Sequence, residues 1–171
     1  MNVDVRQVEL DDVASLQRNC FSLTTVDQTR ASVEAALMKA TSGEGTSLVA
    51  VRGDEVVGNV TVTRNAHRLQ RHRAHLGGFV IHPAAQGHGL ARALTAAAAE
   101  WASERQCTIL ELDCRGGTHA EEAYRGLGFR EWGRLPAGLI EEAGTFDQVC
   151  FYLVIADWLR EWASAYRPHW R

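Results

Sequence analysis

An apolar run that ends at a proline, and gives way within a few residues to two closely spaced glycines and an alanine-rich helix, constrains this chain more than any other feature. Phe79-Val80-Ile81 reads as the end of a strand, and Pro83 stops it. Gln86-Gly87-His88-Gly89 is a turn. Leu90, Leu94, Ala97 and Trp101 then recur with helical spacing on one face. A second apolar stretch, Thr108 to Cys114, is the next strand, so the unit is a strand–helix–strand crossover. Unpaired amides at a helix start, beside small residues, make a cradle for phosphate oxygens. The P-loop pattern is absent, and Arg92 stands where a dinucleotide fingerprint requires its third glycine.

Around this unit the periodicities predict a mixed α/β (α+β) fold. Val3, Val5 and Val8 indicate a first strand, and Asp11 and Asp12 sit at a helix start with Val13, Leu16, Cys20 and Phe21 as candidate buried positions. A second helix is expected from about Asp27 to Ala40. Ser47 to Val51 and Glu55 to Thr63 form a hairpin about Arg52-Gly53-Asp54, and Ala74 to Ile81 leads into the glycine turn. A short helix follows at His119 to Arg125, then strands near Phe129 to Arg134 and Gln148 to Ile155. The expected sheet is mostly antiparallel, flanked by helices, with one central crossover. A helix over about 157–166 carries Trp158, Trp162 and Tyr166 on one stripe; it either docks on its own domain or forms a homodimer contact.

The 171 residues are read as a single domain, and 46% hydrophobic with 23% charged residues are ordinary values for a folded chain. A net charge of -3 gives no support for nucleic acid or an anionic membrane as partner. The N-terminus, Met-Asn-Val-Asp-Val-Arg, lacks the order of a secretion signal, so the expected location is cytoplasmic. Cys20, Cys107, Cys114 and Cys150 make no C-x-x-C pair and read as small buried hydrophobes.

Gln86-x-x-Gly89-x-Ala91 resembles the Gln/Arg-x-x-Gly-x-Gly/Ala segment by which GNAT N-acetyltransferases hold the diphosphate of acetyl-coenzyme A. The resemblance implies that Phe79, Val80 and Ile81, with Gln86, Gly87, His88, Gly89, Leu90 and Ala91, bind this co-substrate. It implies a bulged strand in which Val80 or a neighbour offers an amide to the thioester; Gly77-Gly78 suits such a bulge. Tyr124-Arg125-Gly126-Leu127-Gly128-Phe129 resembles the family's Tyr-x-x-x-Gly-Phe segment, which places the Tyr124 hydroxyl near the coenzyme sulfur. From His72 through Leu153 the chain is similar to the tabtoxin-resistance branch, including Arg73-Ala74, Leu112-Asp113 and Gly133-Arg134-Leu135-Pro136. It departs from that branch at His75, where the branch has a glutamate, and it lacks the Asn-x-x-Ala element of ribosomal-protein acetyltransferases.

Acetyl transfer requires a neutral amine, and a lysine-like amine is neutral in only about one molecule in 2,500 at pH 7. A base or a desolvating cleft is therefore expected. Glu111 and Asp113 share one face of their strand, and His75 has a suitable unperturbed pKa; the three stand as alternative bases. His72 and His75 fall on opposite strand faces, so no metal is expected. Arg64 to Arg73 carries four arginines and two histidines, either as a solvated loop or facing the acceptor, and Glu141, Glu142 and Asp147 carry the opposite sign. Together the signs suit a zwitterionic acceptor. The expected function is acetylation of a small-molecule amine, an amino-acid-like metabolite, toxin or antibiotic. Protein acetylation and a non-catalytic acyl-coenzyme A-binding module are the alternatives.

Overall fold

The computed structural model describes residues 3–163. One seven-stranded sheet runs in the order β1-β2-β3-β4-β5-β7-β6, with β1 Asp4–Gln7, β2 Gly45–Arg52, β3 Glu55–Arg64, β4 Arg73–Ile81, β5 Ile109–Arg115, β6 Arg130–Glu141 and β7 Gly144–Val154. Only the β4–β5 pair is parallel; the other neighbours run antiparallel. The helices are α1 Val13–Cys20, α2 Val26–Ser42, α3 Leu90–Glu104, α4 His119–Gly126 and α5 Ile155–Trp158. This is the mixed, mostly antiparallel architecture expected, with α3 as its central crossover.

Strand alternation divides the core between two faces. Leu48, Ala50, Val60, Val62, Leu76 and Leu110 pack toward the alanine-rich face of α3. Val49 and Val56, turned the other way, meet Val13 and Leu16 of α1 and Val33 and Ala36 of α2. Asp12 ties the start of α1 to β1: Arg6 donates to its two oxygens at 2.7 and 2.8 Å, and the Glu9 amide donates at 2.8 Å. At α2, Thr25 Oγ1 accepts from the Gln28 amide at 3.1 Å while Gln28 Oε1 accepts from the Thr25 amide at 2.8 Å. That reciprocal cap starts the helix at Val26, slightly earlier than periodicity alone predicts.

Two expectations need correction. The last two strands are much longer than the apolar runs indicated, because the ladder absorbs Pro136-Ala137-Gly138 as a bulge between Leu135 and Leu139. The C-terminal helix begins at Ile155 and widens into a looser turn over Leu159–Ala163. Trp158 is buried and its Nε1 donates to the Leu127 carbonyl at 2.7 Å, so this end docks on its own fold. Tyr166 lies outside the described residues. Among the described residues no helix is long and apolar enough to cross a membrane.

Candidate active site

The chain leaves β4 through one tight turn, Pro83–Ala85, and enters α3 at Leu90. Gly87 and Gly89 stand at φ 77° and 78°, a left-handed conformation that a side chain would strain. With Gly89 as the residue before the helix, the first amides of α3 face outward without helical acceptors. They open on a groove of about 530 Å³ between the end of β4, the start of α3 and α4. Phe79 and Ile81 line one side, Gln86, Gly87 and Gly89 to Ala91 the head, and Ala120, Ala123 and Tyr124 the other side. Arg92 and His119 add basic groups, and none of the described lining residues is acidic. A diphosphate fits this cradle by its charge and by the donors it meets. Of the residues expected here, Val80 and His88 are not on the lining: Val80 pairs with Asn59 in the ladder, and His88 Nδ1 lies 2.8 Å from the Gln86 carbonyl.

Deeper in the groove the sheet divides. β4 and β5 pair only over Arg73–His75 and Ile109–Glu111, then part. His82 donates its amide to Val57 of β3, and donors alternate along a strand. The amides of Ile81 and Phe79 therefore turn toward the gap, so the donor expected at Val80 or a neighbour falls on the neighbours. Tyr124 stands beside this gap, edge-on to Phe79 and Phe129 with ring centroids 5.9 Å away in each case. Among the described residues its hydroxyl has no hydrogen-bond partner. Burial, with lesser contributions from Cys114 and Asp113, pushes its pKa up to about 12.

On the opposite face of the sheet, where the strands part, His75 Nε2 lies 3.1 Å from Asp113 Oδ1, and Gln148 Nε2 donates to Asp113 Oδ2 at 3.0 Å. A carboxylate only accepts, so in the neutral form of the ring the hydrogen sits on Nε2 and the lone pair on Nδ1. Glu111, one step back along β5, is held by Arg73: Nε donates at 2.9 Å and Nη2 reaches the same oxygen. The structure thus joins two of the three candidate bases into a relay and engages the third in an ion pair. Cys114, beside the gap, is pushed up to about 11 chiefly by burial and is a thiol at neutral pH. Among the described residues no group of three metal-ligating side chains comes together.

Much of each charged loop is engaged within the fold. Arg71 forms a two-point bond to Glu44 at 2.6 and 2.7 Å, Arg64 donates to the Arg71 carbonyl, and Arg73 holds Glu111. Glu141 is paired to Arg115 at 2.7 Å, and Asp147 accepts from the Ala137 amide at 3.1 Å. Two residues missed in the sequence complete the site. Asn59 is fully buried; it accepts from Ser47 Oγ at 2.7 Å and donates to the Gly78 carbonyl at 2.9 Å, across the bulge of β4. Its signal was a strand-averse amide within Val56-Val57-Gly58-Asn59-Val60. Gln148 gave no comparable signal.

The sequence matches the acetyltransferase (GNAT) family over residues 10–129. None of the curated proteins matches it. Solved structures share the fold. A ribosomal-protein-alanine N-acetyltransferase from Brucella melitensis, 22% identical, superposes with a TM-score of 0.75 over 88% of this chain and 98% of its own. YncA, a putative acetyltransferase from Salmonella typhimurium with its cofactor acetyl-CoA, is 18% identical, with a TM-score of 0.75 over 91% of this chain and 95% of its own. A spermidine N-acetyltransferase SpeG chimera from Vibrio cholerae and hSSAT is 17% identical, with a TM-score of 0.76 over 94% and 100%. The family match and the shared fold define the class as an acetyltransferase. This chain belongs to the acetyltransferase (GNAT) family.

Proposed function

We propose that the protein transfers the acetyl group of acetyl-coenzyme A to the primary amine of a small molecule, an amino-acid-like metabolite, toxin or antibiotic, by direct attack. The observation that carries this reading is the His75–Asp113–Gln148 chain at the division of the sheet, opposite the groove that Tyr124 lines. Donor and acceptor then approach from opposite faces and meet between β4 and β5.

In this scheme the amine nitrogen bonds to the carbonyl carbon of the thioester, and His75 Nδ1 takes the proton it sheds. Asp113 stabilises the resulting imidazolium, and Gln148 fixes the carboxylate. The amides of Phe79 and Ile81 face the oxygen on which negative charge develops. The carbon–sulfur bond breaks, releasing a thiolate with a pKa near 8.5. A phenol at about 12 does not surrender its proton to such a thiolate, since the gap costs about 5 kcal/mol. Tyr124 therefore holds the sulfur with a hydrogen bond, and the thiolate takes its proton from the imidazolium or water. Glu111 keeps Arg73 and the paired start of the two strands in register.

A thiol-release assay with acetyl-coenzyme A and a panel of small amines and peptide N-termini tests this. His75→Gln should lower kcat about a hundredfold at neutral pH with the donor's KM unchanged. Tyr124→Phe should cost no more than about tenfold. Full activity of His75→Gln removes the proposed base, and turnover of peptides alone moves the substrate to protein.

A further inference from the structure

A second cavity, of about 370 Å³, lies on the acceptor face between α1, α2 and the sheet. Its floor includes Ser47, Asn59 and Thr61; Phe21 stands at one end and Lys39 at the other, and no described lining residue is acidic. The cavity reaches the split through the one stretch of β4 that lacks side chains. A methyl group built on Gly78 would stand 3.4 Å from Asn59 Nδ2, 3.6 Å from the Phe21 ring and 3.7 Å from Thr61 Oγ1, all three cavity residues. A methyl group on Gly77 would meet nothing within 4 Å. Gly77-Gly78 is thus a window from the cavity to the donor side, and His75 stands next along the same strand face.

Charge selects what enters. One transverse row of the sheet runs Gly45–Thr63–His75–Glu111 through successive registered pairs. The Lys39 stem lies over Gly45, its Cδ 3.4 Å from where a β-carbon would sit. Lys39 therefore stands two strands from His75, about 10 Å across the same face. Among the described residues its ammonium has no partner, and adjacent Glu44 is already held by Arg71.

We infer that this cavity is the acceptor site, and that the acceptor is an amine carrying a carboxylate at its far end, the amine at the Gly77-Gly78 window and the carboxylate toward Lys39. The inference rests on the acetyl-transfer reading above and narrows it: a polyamine would bring a second cation against Lys39 with no carboxylate to receive it.

The test uses matched acceptors of equal length: ω-amino acids, simple alkylamines and α,ω-diamines. Turnover should favour the ω-amino acids. Lys39→Glu should shift the ratio of ω-amino acid to diamine kcat/KM roughly tenfold toward the diamines, with the donor's KM unchanged. Binding is read separately by calorimetry on the coenzyme A-loaded protein. Lys39-dependent binding of ω-amino acids without turnover would sink the catalytic reading and keep this site. Turnover of diamines over ω-amino acids by the unaltered protein, or a ratio indifferent to Lys39→Glu, would overturn the inference and leave acetyl transfer standing. Failure of every ω-amino acid to bind would overturn it as well.

Discussion

Replacing Asn59 by leucine and by alanine separates two consequences of one buried amide. Asn59 is 1% exposed, and its side chain joins the Ser47 hydroxyl to the Gly78 carbonyl. Leucine removes both bonds and leaves the buried Ser47 hydroxyl unsatisfied at about 1–3 kcal/mol, while the more exposed Gly78 carbonyl forfeits a bond worth about 1 kcal/mol. Its added apolar surface returns about 1 kcal/mol, so the net loss is about 1–3 kcal/mol. Alanine leaves a space that opens on the neighbouring cavity, where water can reach both groups, so its cost is about 1–2 kcal/mol. The larger, more hydrophobic side chain should thus be the more damaging, the reverse of ordinary core behaviour. Urea unfolding with unchanged m-values measures both, and the leucine variant should melt about 3–10 °C lower. Loss of the tie at Gly78 should also weaken acyl-donor binding in both variants. A leucine variant as stable as the parent, or more stable than the alanine variant, would refute the reasoning.

Trp158→Phe removes the buried bond to the Leu127 carbonyl and should cost about 1–3 kcal/mol by thermal unfolding. For Asp12, burial raises the pKa, but the Arg6 bonds and the Glu9 amide outweigh it and hold the carboxyl below its usual range. The stability this gives is complete above the unfolded value, near pH 4, and is lost as pH falls through the lower folded value. Asp12→Asn should flatten that acid limb, seen as a midpoint less sensitive to pH below about 4. Gly87→Ala meets no neighbour within 4 Å, so only its φ of +77° is penalised. The fold should lose about 1–2 kcal/mol, while donor affinity by calorimetry should fall at least about tenfold because the cradle is displaced. An unchanged affinity would separate the loop from the donor.

The central crossover was legible because Pro83 and the two glycines punctuate it sharply and Leu90, Leu94 and Trp101 keep helical spacing. The last hairpin was not: Pro136 and Gly138 are strand breakers in isolation, and only pairing with β7 shows that an edge strand carries them in a bulge. Tyr124 and the glycine turn could be placed because each sits within a local pattern. The His75–Asp113 relay could not. It depends on the offset at which β4 and β5 pair, Arg73 against Ile109, and that offset is set by contacts distant in sequence. Composition offered two charged segments as acceptor contacts, and the fold pairs Arg71, Arg73 and Glu141 of these with its own side chains. Lys39 is the chain's one lysine, but it lies in a helix whose pattern marks only the apolar face, so nothing local set it apart.

Three residues a side join β4 to β5 before the strands part, so the middle of the sheet is its weakest seam. A molecule seated there would act as a wedge with hydrogen-bonding sides, bridging two half-sheets that the chain itself leaves unlaced. Stiffness at the centre would then be supplied by the ligand: amide hydrogens of Phe79 and Ile81 should exchange quickly in the empty protein and slow sharply once the donor is bound.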